Sequence, residues 1–320
     1  MEKKKVVILG GGTGLSFLLR GLKMYPVDIT AIVSVCDDGS STGRLREEFK
    51  TPAVGDVRKV LIALSETEPL VEELLSYRFD TSSDLNGHAV GNLLLTAMTN
   101  ITGNMSDAIE SLSKILNLKG KVVPLTEDNV VLLGKMTDGS IIEGEHNITM
   151  CDGIIKDVFY KEKPVVTKEA IDAIAEADSI ILSMGSVFTS IIPNLICDEI
   201  INAIDKSNAN ITYVCNLMTQ PGETDDYTVS DHIKLFNSFL GKRKVNTVIV
   251  NNEELDQEIV KKYETLEQKD QVILDRNELE KLNVKVIEDD LVLYENEIIR
   301  HNTLKLAFHI FSELVKDVLY

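Results

Sequence analysis

The sequence predicts an α/β protein with a mainly parallel sheet and a small β-rich insertion. Two observations carry that class. Short uninterrupted apolar runs alternate with helical patterns from Val6 to Val35 and again from Ala170 to Val250, as expected of strands buried on both faces and covered by crossover helices. Between these stretches, over 121–160, the pattern changes to short strands with Asp138-Gly139 as a turn signal. A chain of 320 residues can bury a substantial core. No repeat, linker or low-complexity segment breaks it, so 1–320 reads as a single domain with 121–160 inserted in it.

Taken in order, Val6-Val7-Ile8-Leu9 is the first buried strand and Leu15 to Leu22 the first helix. Between them lie Gly10-Gly11-Gly12-Thr13-Gly14. A turn without Cβ atoms lets backbone N–H groups approach an anion, and the following helix adds the positive end of its dipole. Gly11, Gly12, Thr13 and Gly14 are therefore candidate phosphate contacts. Leu15 stands where a G-x-G-x-x-G motif begun at Gly10 needs glycine, and no Gly-Lys-Ser/Thr follows. An ordinary dinucleotide fingerprint and a P-loop both lose weight.

The second strand, Ile29 to Val35, ends in Cys36-Asp37-Asp38-Gly39-Ser40-Ser41-Thr42-Gly43-Arg44. Asp37 and Asp38 can take ribose hydroxyls or hold Mg²⁺, Ser40 and Ser41 supply donors, and Arg44 can pair with phosphate. Asp56 reads as the N-cap of the helix through Leu61 and Leu64. Farther on, His88 and Asn92 stand four apart at the start of another helix, a donor or proton-transfer group beside an amide.

Four short strands are expected in the insertion, over 122–125, 130–133, 141–143 and 154–160. It shows no catalytic constellation and is read as a lid or contact surface. The α/β pattern resumes with a helix over 170–177 and a strand over 179–183, after which Gly185 and Ser186 make a second strand-to-helix anion site. Ile211 to Cys215 is a strand leading to Asn216, Thr219, Gln220 and Pro221-Gly222, a polar loop suited to a ligand wall, with Thr224 as the next helix cap. Further strands are expected at 245–250 and 284–287, and a closing helix carries Leu304, Ala307, Phe308, Phe311, Leu314, Val315 and Val318 on one stripe.

A formal charge of −18 and a pI near 4.7 argue against general nucleic-acid binding. The apolar runs are too short to cross a bilayer, and Met1-Glu2-Lys3-Lys4-Lys5 leads straight into a strand without the core of a signal peptide, so a cytoplasmic protein is expected. Cys36, Cys151, Cys197 and Cys215 are scattered, and the five histidines lack ligand spacing. Neither a disulfide framework nor a structural metal is expected.

Taken as an ordered set, Gly10–Gly14, Asp37–Gly43, Gly87-His88 with Gly91-Asn92-Leu93, and Asn216 with Thr219–Thr224 resemble the YvcK/CofD-like family over nearly the whole chain. Thr219-Gln220-Pro221-Gly222-Glu223-Thr224 and Ile299-Arg300-His301 look most like its YvcK branch, the bacterial gluconeogenesis factors. The resemblance implies a Rossmann-like three-layer fold and a nucleotide-type ligand. For the YvcK branch it implies UDP-N-acetylglucosamine, held in part by residues at the positions of Tyr263 and Arg300, and a role in envelope-precursor supply and cell shape. For the CofD branch it implies Mg²⁺-dependent transfer of a phospholactyl group from a guanosine diphosphate carrier to a deazaflavin. One departure stands out: Ser183-Met184-Gly185-Ser186 replaces the common Gly-Pro-Gly-Ser, losing a permissive glycine and a rigidifying proline.

Two function classes follow. The first is a regulator that senses a nucleotide sugar and meets a protein partner in envelope-precursor synthesis, favoured because no nucleophile stands paired with a base. The second is a transferase in which Asp37 and Asp38 hold Mg²⁺, Arg44 neutralises phosphate and the acceptor lies near Asn216. NAD binding without redox chemistry is a third reading, weakened by the glycine spacing. The sequence leaves homo-oligomerisation open.

Overall fold

The computed structural model describes residues 3–296 and 298–316. Met1, Glu2 and Val318 thus lie outside the described residues. The first turn of chain follows the predicted pattern: β1 (Lys4–Gly10) is buried from Val6 onward, α1 (Gly12–Leu22) follows, and β2 (Val27–Val33) pairs with β1 in parallel. Five helices then precede the next strand: α2 (Ser40–Phe49), α3 (Val54–Leu64), α4 (Pro69–Ser76), α5 (Val90–Thr102) and α6 (Met105–Ile115). Gly103, at φ 94°, stops α5, and Asn104 caps α6 by accepting the Asp107 N–H at 2.7 Å. The cap of α3 is Ala53, with Asp56 inside its first turn.

The four short strands expected over 121–160 divide between two sheets. β3 (Lys121–Pro124) pairs in parallel with β2, because its apolar Val122 and Val123 continue the central core. Only β4 (Leu132–Met136), β5 (Ile141–Glu143) and β6 (Ile155–Tyr160) form the separate antiparallel sheet, in the order β5-β4-β6, with α7 (Glu145–Thr149) between its second and third strands.

The chain then recrosses the sheet through α8 (Lys168–Ala175) to β7 (Ser179–Leu182), which pairs with β1 on the side opposite β2. One turn of π-helix, Val187–Ile191, runs into α9 (Ile192–Leu195) and α10 (Asp198–Lys206). Next come β8 (Asn210–Val214), α11 (Val229–Phe239) and β9 (Thr247–Asn251). The cap of α11 is Thr228, in a reciprocal capping box with Asp231, and Thr224 instead accepts the Gln220 N–H at 2.9 Å. α12 (Gln257–Glu267), α13 (Arg276–Lys281) and β10 (Lys285–Asp289) follow, then a hairpin of β11 (Val292–Glu295) and β12 (Ile298–His301), and finally α14 (Thr303–Val315).

The central sheet has the order β10-β9-β8-β7-β1-β2-β3, with every neighbouring pair parallel. Strand order therefore reverses between β1 and β7. Right-handed crossovers on the two sides of that point put their helices on opposite faces. α1 packs on α3 and α14, and α8 packs on α10, giving the Rossmann-like α/β arrangement with helices flanking the sheet. On α14 the buried residues are Leu306, Ala307 and Ile310, whereas Leu304 and Phe308 are exposed. Ala307, Phe311 and Leu314 of the expected stripe pack on the core, joined by Leu306 and Ile310, and the helix approaches α1 at Gly21, where the Thr303 carbonyl leaves no room for a side chain.

Register places the ends of β1, β2 and β7 level: Gly10 lies opposite Val33, and Leu9 opposite Leu182. The loops leaving β1 and β7 consequently touch. A Cβ on Gly14 would stand 1.6 Å from the Met184 carbonyl oxygen, so only glycine allows this backbone contact. Gly14→Ala should lower stability by about 3 kcal/mol or more; an unchanged urea midpoint with unchanged slope would contradict this packing.

Candidate functional site

A cleft of about 410 Å³ opens at the carboxyl ends of β1 and β7, where open parallel sheets bind ligands. Its floor is the first turn of α1. Gly11 is the N-cap and no side chain caps the helix, so Gly12, Thr13 and Gly14 bring the unsatisfied N–H end of α1 to the cleft. Gly11 lies beneath, packed so closely on Ser190 and Asp56 that a Cβ would come within 2.9 Å of both side chains.

One wall is acidic. Asp37, after β2, accepts the Gly39 N–H at 3.0 Å; burial and then the neighbouring Asp56 carboxylate raise its pKa. Asp56 lies against Gly12 and accepts Lys59 Nζ at 3.0 Å. Glu145 and Thr149 reach the cleft from α7. Burial first, then the Asp37 charge, push the Glu145 carboxyl up to about 7, opposed by a hydrogen bond from Thr189. Near neutral pH this carboxyl is therefore partly neutral.

The opposite wall comes from β12. The Arg300 guanidinium sits over the Phe17 ring of α1, 4.7 Å from its centroid. The Ile299 N–H donates to the Tyr263 hydroxyl at 3.2 Å, tying α12 to the strand that carries Arg300. His301 Nε2 is 3.0 Å from the Cys215 carbonyl oxygen, and burial lowers the imidazole pKa to about 4, so the ring is neutral at physiological pH. It must therefore donate from Nε2 to that carbonyl.

Ser186 and Gly185 also line the cleft, yet the donors behind them are already engaged. Glu223, buried in the loop after β8, accepts Ser186 Oγ at 2.7 Å, the Phe188 N–H at 3.0 Å and the Gln220 amide. The protein's own carboxylate thus occupies the anion position of this second loop. Ser186 itself caps the π-helical turn by accepting the Thr189 N–H at 3.1 Å.

A second lobe, also about 410 Å³, adjoins the first and shares Met184, Gln220, Ile299, Arg300 and His301 with it. Asn216, Thr219 and Tyr263 line this lobe. Asn216 Nδ2 donates to the Gly185 carbonyl at 2.9 Å, and Thr219 Oγ1 accepts the Asp270 N–H at 2.9 Å, so both side chains also hold the loops in place.

The remaining sequence candidates lie elsewhere. Asp38 does not join Asp37: its Oδ1 accepts the His146 N–H at 2.8 Å. Ser40 is exposed, and Arg44 donates to the Asn86 and Asp84 carbonyls. Ser41 lies 3.0 Å from His88 Nδ1 and accepts Asn92 Nδ2 at 3.1 Å, a buried network joining α2 to α5 rather than a cleft wall. Conversely, Phe17, Asp56, Lys59, Glu145, Thr149, Thr189 and Ser190 line the cleft without having been singled out for ligand contact. Of these only Asp56 carries a sequence signal, that of a helix cap, a place the structure gives to Ala53; Glu145 arrives from an insertion whose position no local pattern reveals.

Residues 6–292 match the family model described as 2-phospho-L-lactate transferase CofD. The chain belongs to the CofD/YvcK family. Within that family it is 49% identical over 317 residues to the gluconeogenesis factor of Bacillus subtilis, covering 99% of each chain. It is 46% identical over 308 residues to the gluconeogenesis factor of Halalkalibacterium halodurans, covering 96% of this chain and 95% of that one. A crystal structure of a Bacillus halodurans protein superposes with a TM-score of 0.93 at 46% identity, covering 97% of this chain and 100% of the other. This CofD/YvcK chain thus matches those gluconeogenesis factors across nearly their whole length, and no single helix among its described residues is long and apolar enough to cross a membrane.

Glu223→Gln would turn an amide N–H toward donors that now meet a carboxylate. It should cost about 2–4 kcal/mol, read by urea unfolding; a variant as stable as the parent would remove Glu223 as the organiser of this loop.

Proposed function

We propose that this gluconeogenesis-factor homologue is a cytoplasmic regulator that binds UDP-N-acetylglucosamine across the two lobes, linking carbon metabolism to envelope-precursor supply and cell shape. The observation that carries the reading is the placement of Arg300. It stands where the lobes meet, facing the N-terminal turn of α1 on one side and Tyr263 on the other. A nucleoside diphosphate sugar needs that order: a cation and helix N–H groups at the diphosphate, with an aromatic and polar wall beyond it for the base. The gluconeogenesis factors it matches across nearly their whole length support the role.

Binding would place diphosphate charge near Glu145 and Asp37, and α7 belongs to the small antiparallel sheet. The insertion is therefore the part whose position the ligand can bias, and the surface a protein partner in precursor synthesis would read. Calorimetric titration with UDP-N-acetylglucosamine should show saturable binding without product, weakened at least about tenfold by Arg300→Ala. Full affinity in that variant would overturn the placement.

The pH dependence has a definite sign. Below pH 7 Glu145 is mostly protonated, and as pH rises through about 7 it acquires a charge that repels the diphosphate. Metal-free affinity should fall by a few-fold to about tenfold between pH 6 and pH 8, and Glu145→Gln should flatten that step. A steeper or reversed profile would point to another titrating group.

A second reading, Mg²⁺-dependent phospholactyl transfer to a deazaflavin, is favoured by the Asp37–Asp56 pair. Asp37, whose proton affinity is raised by burial and then by the Asp56 carboxylate, makes with Asp56 a pair that fits a divalent cation, since Mg²⁺ binds through one or two protein carboxylates plus substrate phosphates. Among the described residues no group of three or more His, Cys, Asp or Glu closes into a metal cluster. In this reading Asp37 and Asp56 would hold Mg²⁺, which would neutralise phosphate charge. Product from a guanosine diphosphate carrier and deazaflavin, lost in Asp37→Asn, would replace the regulator reading.

A further inference from the structure

We propose that the N-terminal end of α5, with Arg58 and Arg78, forms a second oxyanion site that takes inorganic phosphate or a small phosphate monoester. Three observations place it. Arg58, on α3, is 8% exposed, and its Nε and Nη1 are buried without a hydrogen-bond partner. Its stem is aimed at the first turn of α5: Cγ and Cδ lie so close to Gly91 that a Cβ there would sit within 2.9 Å of both. Arg78 stands at the same end: its backbone pairs through an isolated bridge with Ala89, the N-cap of α5, and its Nη1 donates to the Gly87 carbonyl.

The helix end is itself open. Ala89 offers no side-chain cap; the Val90 N–H goes to the Tyr77 carbonyl and those of Asn92 and Leu93 to Ala89, leaving the Gly91 N–H without a backbone acceptor among the described residues. A buried guanidinium without a counter-charge is costly, and natural proteins rarely keep one without a use. Arg78 spends one N–H on the Gly87 carbonyl at 2.8 Å, and Arg44 donates to the Asp84 and Asn86 carbonyls. None of Arg44, Arg58 and Arg78 is ion-paired among the described residues, in a chain of net charge −18 where carboxylates outnumber cations.

The local field agrees. Burial and then Arg78 lower the Arg58 pKa, offset by the carboxylates of Asp56 and Asp37. His88, adjacent to the N-cap, has its pKa lowered by burial and by Arg44 and Arg78, against an opposing contribution from Glu48. Concentrated positive potential, the open Gly91 N–H at a helix start and a forked donor with two unused nitrogens are the components of a phosphate site.

The test is titration of the full chain with inorganic phosphate and, separately, glycerol phosphate, followed by calorimetry and by NMR of the His88 ring. Saturable binding should occur, and an anion beside Arg78 should raise the His88 pKa, a response that purely structural arginines would not produce. Arg58→Met, which keeps the unbranched stem against Gly91, should abolish binding, and Arg78→Ala should weaken it about tenfold. Arg300→Ala should leave it intact, separating this site from the cleft. The tighter of the two titrants identifies the source of the phosphate group. Binding that Arg300→Ala removes, binding unchanged in Arg78→Ala, or no shift at His88 would each overturn the proposal; should Arg58→Met not fold, Arg78→Ala and the His88 response decide it.

Discussion

The backbone contact between the turn after β1 and the loop after β7 is the constraint on which the rest depends. It exists because strand order reverses between these two neighbours, so that two loops leave adjacent strands at the same level and diverge to opposite faces of the sheet. Gly14 meets the Met184 carbonyl with no space for a Cβ, and Gly12 likewise yields to Asp56. These approaches bring the open end of α1, the first carboxylates and the β7 loop into one place. The cleft is a consequence of strand order, and its chemistry of the residues those loops carry.

Electrostatics divides the cleft into complementary walls. The N–H end of α1 and Arg300 favour an anion, whereas Asp37, Asp56 and Glu145 oppose one unless a proton or cation intervenes. Burial answers part of this conflict by keeping Glu145 partly protonated at about pH 7, and Lys59 answers part by pairing with Asp56. Glu223 shows the same logic completed inside the chain: helix-end donors and a serine hydroxyl that could have served a ligand are satisfied by a buried carboxylate. A ligand-binding loop and an internally closed one can thus share the strand-glycine-helix pattern and differ only in what a distant loop delivers.

Family membership and the binding geometry speak at different levels. Identity of 49% across nearly the whole of a gluconeogenesis factor ties the chain to that group, and the same fold carries a family model described for a transferase. A fold hosts either role, so the decision rests with particular side chains at the cleft. Arg300 on an edge hairpin and Glu145 on the inserted sheet come from outside the central parallel sheet, where relatives sharing that sheet are freest to diverge.

Local sequence determined the strands and helices that its periodicities display: β1, α1, β2, β7 and β8 stand where apolar runs place them, and the glycine turn after β1 faces the cleft. It also determined the broad class, since buried parallel strands and crossover helices leave signatures within a few residues. Partners in space were decided only by tertiary structure. β3 left the expected insertion for the central sheet, Thr228 displaced Thr224 as a cap, and Ser41, His88 and Asn92 turned inward to bind one another. Arg44 turned to backbone carbonyls, while Glu145 joined Asp37 from more than a hundred residues away. Periodicity records which face of an element is apolar, a local property of the chain; whether a polar side chain finds a ligand, a carboxylate or another loop depends on long-range contacts that no window of neighbouring residues contains.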